Sequence, residues 1–146
     1  MNDNMADFDI EFEKVVVAEG GYVNNPNDNG EETYLGISRK HNPDWDVWRE
    51  IDNIKRVFGT KGINKRLKNN TTITNSAKRI YRYRYWNKLE LDDVPNQDIA
   101  HQLFDTAVNC GLDTAIRLAQ RVLGMTPTGK WSEALKYNLM KYEARN

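Results

Sequence analysis

Glu19-Gly20-Gly21-Tyr22, continued by Thr33-Tyr34-Leu35-Gly36-Ile37, is the stretch on which the reading of the fold turns. An apolar helical pattern runs into it, and Asp7 or a neighbouring Asn or Asp is placed to cap a helix over about residues 8–19. At ~100° per residue, Phe8, Phe12, Val15, Val16 and Glu19 fall on one stripe roughly 100° wide. Glu19 lies near its centre, where a carboxylate is uncommon because burying its charge is costly. Glu11, Glu13 and Lys14 fall outside the stripe and read as solvent residues. Gly20-Gly21 stops the helix and permits backbone angles closed to other residues. The turn formers Asn24-Asn25-Pro26-Asn27-Asp28-Asn29-Gly30 then predict an ordered polar loop or a short hairpin-like excursion ending at Ile37.

Beyond residue 37 the periodicity is helical. A helix from Asp46 to about Phe58 has Val47, Trp48, Ile51, Ile54 and Phe58 on its inner face. Residues 60–73 pattern weakly and read as a loop or a short helix. Asn75 or Ser76 opens a helix to about Trp86. Pro95-Asn96 starts another, which ends at Gly111. Asp113 caps a further helix, stopped by Gly124, and Ser132 caps the last, with Leu135, Leu139 and Tyr142 inside. The expected architecture is mainly α, with a small irregular or β region after the first helix.

The 146 residues suffice for one domain with a proper core, and 39% hydrophobic with 29% charged residues is ordinary soluble composition. Zero formal net charge conceals a segregation. The segment from Lys55 to Leu89 holds eleven Lys/Arg and no Asp or Glu, which leaves ten Lys/Arg to accompany all 21 acids elsewhere. Such a belt either attracts an anionic polymer or is a solvated helix face. One cysteine, Cys110, excludes an intramolecular disulfide; its setting reads as core near a helix end. Residues 1–13 lack the basic and apolar regions of a signal peptide, so a substrate outside the cytoplasm implies release or non-classical export. No apolar run approaches the ~20 residues of a membrane span.

Glu19 suits a general acid, since apolar surroundings favour the protonated carboxyl that such an acid requires; the other reading is a surface Glu at a frayed helix end. Asp28 is a candidate second carboxylate or a turn residue bonding its own backbone. Thr33 and Tyr34 could position water or sugar. Tyr22, Tyr34, Tyr85 and Trp86 are candidate sugar-stacking rings, with core packing the alternative, above all for Trp86. Asn109, at a helix end, either caps or touches substrate. Phosphate-binding glycine motifs, metal-ligand spacings and nucleophile elbows are lacking, so neither cofactor nor metal is expected.

The blocks Glu19-Gly20-Gly21-Tyr22-Val23-Asn24, Pro26, Asp28, Gly30, Thr33 and Gly36-Ile37 resemble the N-terminal signature of the glycoside hydrolase family 108 muramidases. Ile80-Tyr81-Arg82, Tyr85-Trp86 and Phe104-Asp105-Thr106-Ala107-Val108-Asn109-Cys110-Gly111 look like further blocks of that family. Ala119-Gln120-Arg121-Val122-Leu123-Gly124 with Thr128-Gly129-Lys130-Trp131 is similar to its peptidoglycan-binding region. The resemblance implies a lysozyme-like helical fold and cleavage of the β-1,4 bond between N-acetylmuramic acid and N-acetylglucosamine, with Glu19 catalytic. It divides the chain into a catalytic region, 1–90, and a peptidoglycan-binding-like region, 91–146, packed as one compact unit. The implied partner is the peptidoglycan strand, with no nucleic acid, and the implied setting is a phage endolysin or a bacterial lytic effector. A non-catalytic wall-binding or adaptor module is the alternative.

Overall fold

Helix α1, Phe8–Glu19, has the expected bounds. Asp7 accepts a hydrogen bond from the Asp9 amide at 2.9 Å, satisfying an orphan donor of the first turn. These coordinates come from a computed structural model that describes residues 5–25 and 31–144. Residue contacts divide the chain into two compact units, Phe12–Ile80 and Met1–Glu11 with Tyr81–Asn146.

In the first unit α1 ends at Glu19 because Gly20 and Gly21 both take positive φ, 73° and 88°. The chain then enters strand β1, Tyr22–Asn25, which pairs antiparallel with β2, Glu31–Tyr34, in the register Tyr22 to Tyr34 and Asn24 to Glu32. Strand β3, Ile37–Ser38, adds to β2 and completes a sheet of order β1-β2-β3. Leu35 and Gly36 join β2 to β3 with φ of 51° and 78°. Positive φ at both central residues is the requirement of the two-residue hairpin turn that matches strand twist. Leu35 adopts it although it is not glycine; its side chain is buried and its amide donates to the Gly21 carbonyl at 3.1 Å.

Three helices complete this unit: α2, Val47–Phe58, α3, Ile63–Lys68, and α4, Thr71–Tyr81. Val47, Trp48 and Ile51 are buried as expected, but Phe58 is 53% exposed and lies under the Arg66 guanidinium, 3.7 Å from its ring centre. The weakly patterned 60–73 segment contains α3, whose Ile63 and Leu67 reach the core one turn apart. Helix α4 starts four residues before Asn75. Asn70 caps it by accepting from the Ile73 amide at 3.1 Å, and Asn75 sits inside the helix. Trp48 donates to the Asn42 carbonyl at 2.7 Å and Trp45 to Ser76 at 2.9 Å, so both indoles pack with their polar edges satisfied.

The second unit begins where α4 passes into a π-helical turn, Arg82–Trp86. Helices α5, Gln97–Cys110, α6, Leu112–Val122, and α7, Glu133–Ala144, follow. Asn96 caps α5 through the Asp98 and Ile99 amides, and Ser132 caps α7 through Leu135. Gly111, rather than Asp113, precedes α6. Phe8, Trp86 and Phe104 meet edge to face with centroids 5.4–5.9 Å apart, each burying roughly 150–250 Å² as aromatic side chains do. Two sequence readings are corrected here. Glu11 is not a solvent residue: only 1% exposed, it accepts from Gln97 and pairs with His101 Nδ1, both at 2.6 Å. It lies just beside the apolar stripe, and those two partners meet the polar demand that burial creates. Cys110 is exposed, not core: it continues the arc of Leu103 and Ala107 but is the last residue of α5.

The helix-to-strand bend depends on Asn64 of α3. Its Oδ1 accepts from the Tyr22 amide at 2.7 Å and would stand 2.6 Å from a Cβ on Gly21, whereas a Cβ on Gly20 would meet nothing. Gly20→Ala should therefore cost only the left-handed strain, about 1–2 kcal/mol, and Gly21→Ala about 2–4 kcal/mol as strain and overpacking combine. Urea unfolding checks this. The Gly21→Ala cost should shrink in an Asn64→Ala background, and equal costs in both backgrounds would refute the clash.

Candidate active site

Glu19 is the last residue of α1 and is half-buried. Directly beyond it, Gly20 and Gly21 line a groove of about 360 Å³ within the Phe12–Ile80 unit. Phe12, Val16, Val17, Tyr34 and Leu35 supply apolar walls; Glu13, Asn64, Lys68 and Thr74 supply polar ones. On a wheel of ~100° per residue the α1 groove residues run from Phe12 through Val16 to Val17. Glu19 stands just outside that arc, on the Phe12 side. A larger cavity of about 450 Å³ in the other unit, between α5, α6 and α7, is walled mainly by aliphatic side chains such as Leu103, Ala119 and Leu139. Asp98, Gln102, Thr106 and Tyr142 also border it, but its surface is almost wholly apolar.

The sheet sorts the candidate residues. Residues paired directly across strands share a face, so Tyr22, Glu32 and Tyr34 point one way and Thr33 the other. Tyr34 is buried, and burial pushes its hydroxyl above the usual tyrosine range. Thr33 is half-buried, opposite Val23 and Ser38. Asp28 lies outside the described residues. Trp86 and Asn109 belong to the other unit. Trp86 has no ring face open to solvent, and its indole donates to Asp92 at 2.8 Å. Asn109 is exposed at the end of α5 and bonds back to the Asp105 carbonyl and carboxylate.

The strongest electrostatic feature of this unit is one the sequence reading passed over. The Tyr22 hydroxyl donates to Glu32 Oε2, and Lys55 from α2 donates to the same hydroxyl at 3.1 Å. Arg39 donates to Glu32 Oε1 at 2.9 Å and grips Asp52 bidentately at 2.9 and 2.8 Å. Burial pushes the Glu32 carboxyl up, but hydrogen bonds from Tyr22 and Arg39 and the charges of Lys55 and Arg39 outweigh it, leaving the group below its usual range. Burial, then the bond to Glu32, pushes the Tyr22 hydroxyl up. The bond to Tyr22 lifts Lys55, and the Arg39 fork holds Asp52 down. Glu32 was legible in principle, since alternation from Tyr22 through Asn24 places it on the tyrosine face. Asn64 carried no local signal; only tertiary structure brings it to the bend.

A mainly helical chain with a small antiparallel sheet after its first helix has the lysozyme-like fold, and Glu19 stands at its helix-to-sheet junction. The chain belongs to the glycosyl hydrolase 108 family, whose model matches residues 12–111 and so takes in Glu19 and the whole Phe12–Ile80 unit. It is also similar to the solved structure of Brucella abortus SagA, at 29% identity and a TM-score of 0.60, over 92% of this chain and 68% of that one. Among the curated proteins none matches. Residues 112–146 lie beyond the family match. Among the described residues no helix is long and apolar enough to cross a membrane.

A carboxylate with a depressed folded pKa stabilises above its unfolded pKa and loses that contribution as pH falls through the folded value. Glu32→Gln should therefore cost about 1–3 kcal/mol at neutral pH, the usual range for a lost charged hydrogen bond. The gap to wild type should close as pH drops below about 4, the ordinary glutamate range. Chemical denaturation at several pH values measures it; a gap independent of pH would contradict the charged role.

Proposed function

We propose that this glycoside hydrolase acts on peptidoglycan as an N-acetylmuramidase, cleaving the β-1,4 bond between N-acetylmuramic acid and N-acetylglucosamine, with Glu19 as general acid. The observation that carries the reading is the placement of Glu19. It is half-buried at the end of α1, next in the chain to Gly20 and Gly21, which line a groove with apolar walls and polar edges, inside the family-matched segment.

Glycosidic cleavage needs a proton on the departing oxygen as the sugar ring gains positive charge. Glu19 delivers that proton, and the Gly20-Gly21 bend, held by Asn64 through the Tyr22 amide, ends the helix at this residue instead of letting it fray. Water completes hydrolysis, with Asp28 the remaining candidate to orient it, since Thr33 faces away from the groove-lining Tyr34. The apolar walls from Val16, Val17 and Leu35 suit the C–H faces of a sugar ring, and Asn64 and Thr74 suit its hydroxyl and acetamido groups. The setting that fits this activity is the bacterial cell wall, reached as a phage endolysin or as a lytic effector.

Glu19→Gln should reduce clearing of purified peptidoglycan by about 10²–10⁴-fold, the span general-acid catalysis ordinarily contributes. The melting temperature should hold within a few degrees, since the side chain is only half-buried. Turbidity and released reducing ends are the readouts. Full activity in the variant would remove Glu19 from the acid's role. An inactive but folded wild type that still sediments with peptidoglycan would make this a binding module.

A further inference from the structure

No Asp or Glu occurs between Asp52 and Glu90, and in the Phe12–Ile80 unit the resulting cations are not distributed evenly. Some are committed. Lys55 is held by Tyr22 and Glu32, Arg56 bonds to Asn53 at 2.5 Å, and Arg66 covers the Phe58 ring. Lys61, Lys65 and Lys68 are exposed, and among the described residues none of the three has a carboxylate within ion-pairing distance.

Their placement follows from α3. Ile63 and Leu67 turn one side of this short helix into the core. At ~100° per residue Asn64, Lys68 and Lys65 then follow each other round the opposite side. Asn64 and Lys68 stand in the wall of the groove beside Glu19, and Lys65 continues outward from it. Lys61 precedes Gly62, the residue that begins the helix in left-handed conformation. The lysines thus form a strip that starts inside the groove, whose wall also holds Glu13, and runs away from it across α3. With the whole chain at zero net charge, attraction to a polyanion cannot come from the protein at large. It must come from such a local patch, acting within a Debye length of about 10 Å at 0.1 M salt.

We infer that this α3 strip is a docking surface for the anionic glycan strand itself, beyond the bond being cleaved, with Lys61, Lys65 and Lys68 facing the carboxylates of its peptide stems. The inference rests on the peptidoglycan reading given above. The strip's continuity with the groove favours an extended wall polymer over a partner that would bind it separately. Lys68 reaches the substrate where it enters the groove; Lys65 and Lys61 hold the strand further along.

Binding of the Glu19→Gln protein to insoluble peptidoglycan stripped of proteins and secondary polymers, measured by sedimentation, tests this without cleavage. Adding Lys61→Gln and Lys65→Gln should weaken binding about three- to tenfold at low salt and flatten its salt dependence, as expected for two exposed charges. Adding Lys61→Arg and Lys65→Arg instead should leave binding near the parent's. Equal affinity for parent and glutamine variant, no measurable binding by the parent, or equally tight retention of duplex DNA at the same salt would each overturn the inference. A wild type that fails to cleave while the lysine effect persists would sink the muramidase reading and leave the strip standing. Cleavage with no lysine effect would do the reverse.

Discussion

The hydrogen bond from the Tyr22 amide to Asn64 Oδ1 is the contact on which the Phe12–Ile80 unit depends. Two successive residues with positive φ turn the chain out of α1, and only glycine does this without strain. Glycine also leaves the bend loose in the unfolded chain and costs more entropy to fix. Asn64 supplies the restraint from α3: it satisfies the first amide after the bend and occupies the space that any side chain at Gly21 would need. The position of Glu19, the entry of β1 and one wall of the groove all rest on this clamp.

The charged cluster on the tyrosine face of the sheet does for the strands what Asn64 does for the bend. The sheet is short, with β3 only two residues long, and so small a sheet gains little from its own ladder. Glu32, fixed by Tyr22, Arg39 and Lys55, ties β1 and β2 to α2, and Asp52 closes the other side of Arg39. With its lone pairs engaged by three donors, Glu32 avoids the large penalty of an unpaired buried carboxylate. Glu32 is saturated with partners, which suits a structural anchor, whereas Glu19 is half-buried at the end of α1.

In the second unit the same logic appears at Glu11. Its carboxylate is buried deeper than any other charged group described, and Gln97 and His101 reach it from α5. The Ala6 amide donates to the Val94 carbonyl, and Asp7 and Gln97 exchange two further bonds, so the segment before α1 is stapled to the start of α5. Gln120 makes a comparable pin, holding the 128–130 turn through Thr128, Gly129 and Lys130. Each is a long polar side chain on a helix reaching a loop that has no regular partner of its own.

The sequence by itself left the stretch to Ile37 as either a loop or a hairpin, and it determined the bounds of α1, the stop at Gly20-Gly21 and the capped starts of α5 and α7. These are written in local chemistry: a 3.6-residue apolar period, a side-chain oxygen at an N-cap, a glycine where φ is positive. Through the Glu-Gly-Gly-Tyr block it also marked the family. Only the tertiary structure decided that Glu11 is buried and Phe58 is not, that α4 starts at Asn70's cap, that Thr33 and Tyr34 face opposite ways, and that Asn64 meets Gly21 and Tyr22. A helical wheel fixes angles within one element, but which arc is covered depends on neighbours dozens of residues away. Asn64 and Gln97 reach their partners over 42 and 86 residues, a separation across which periodicity carries no information.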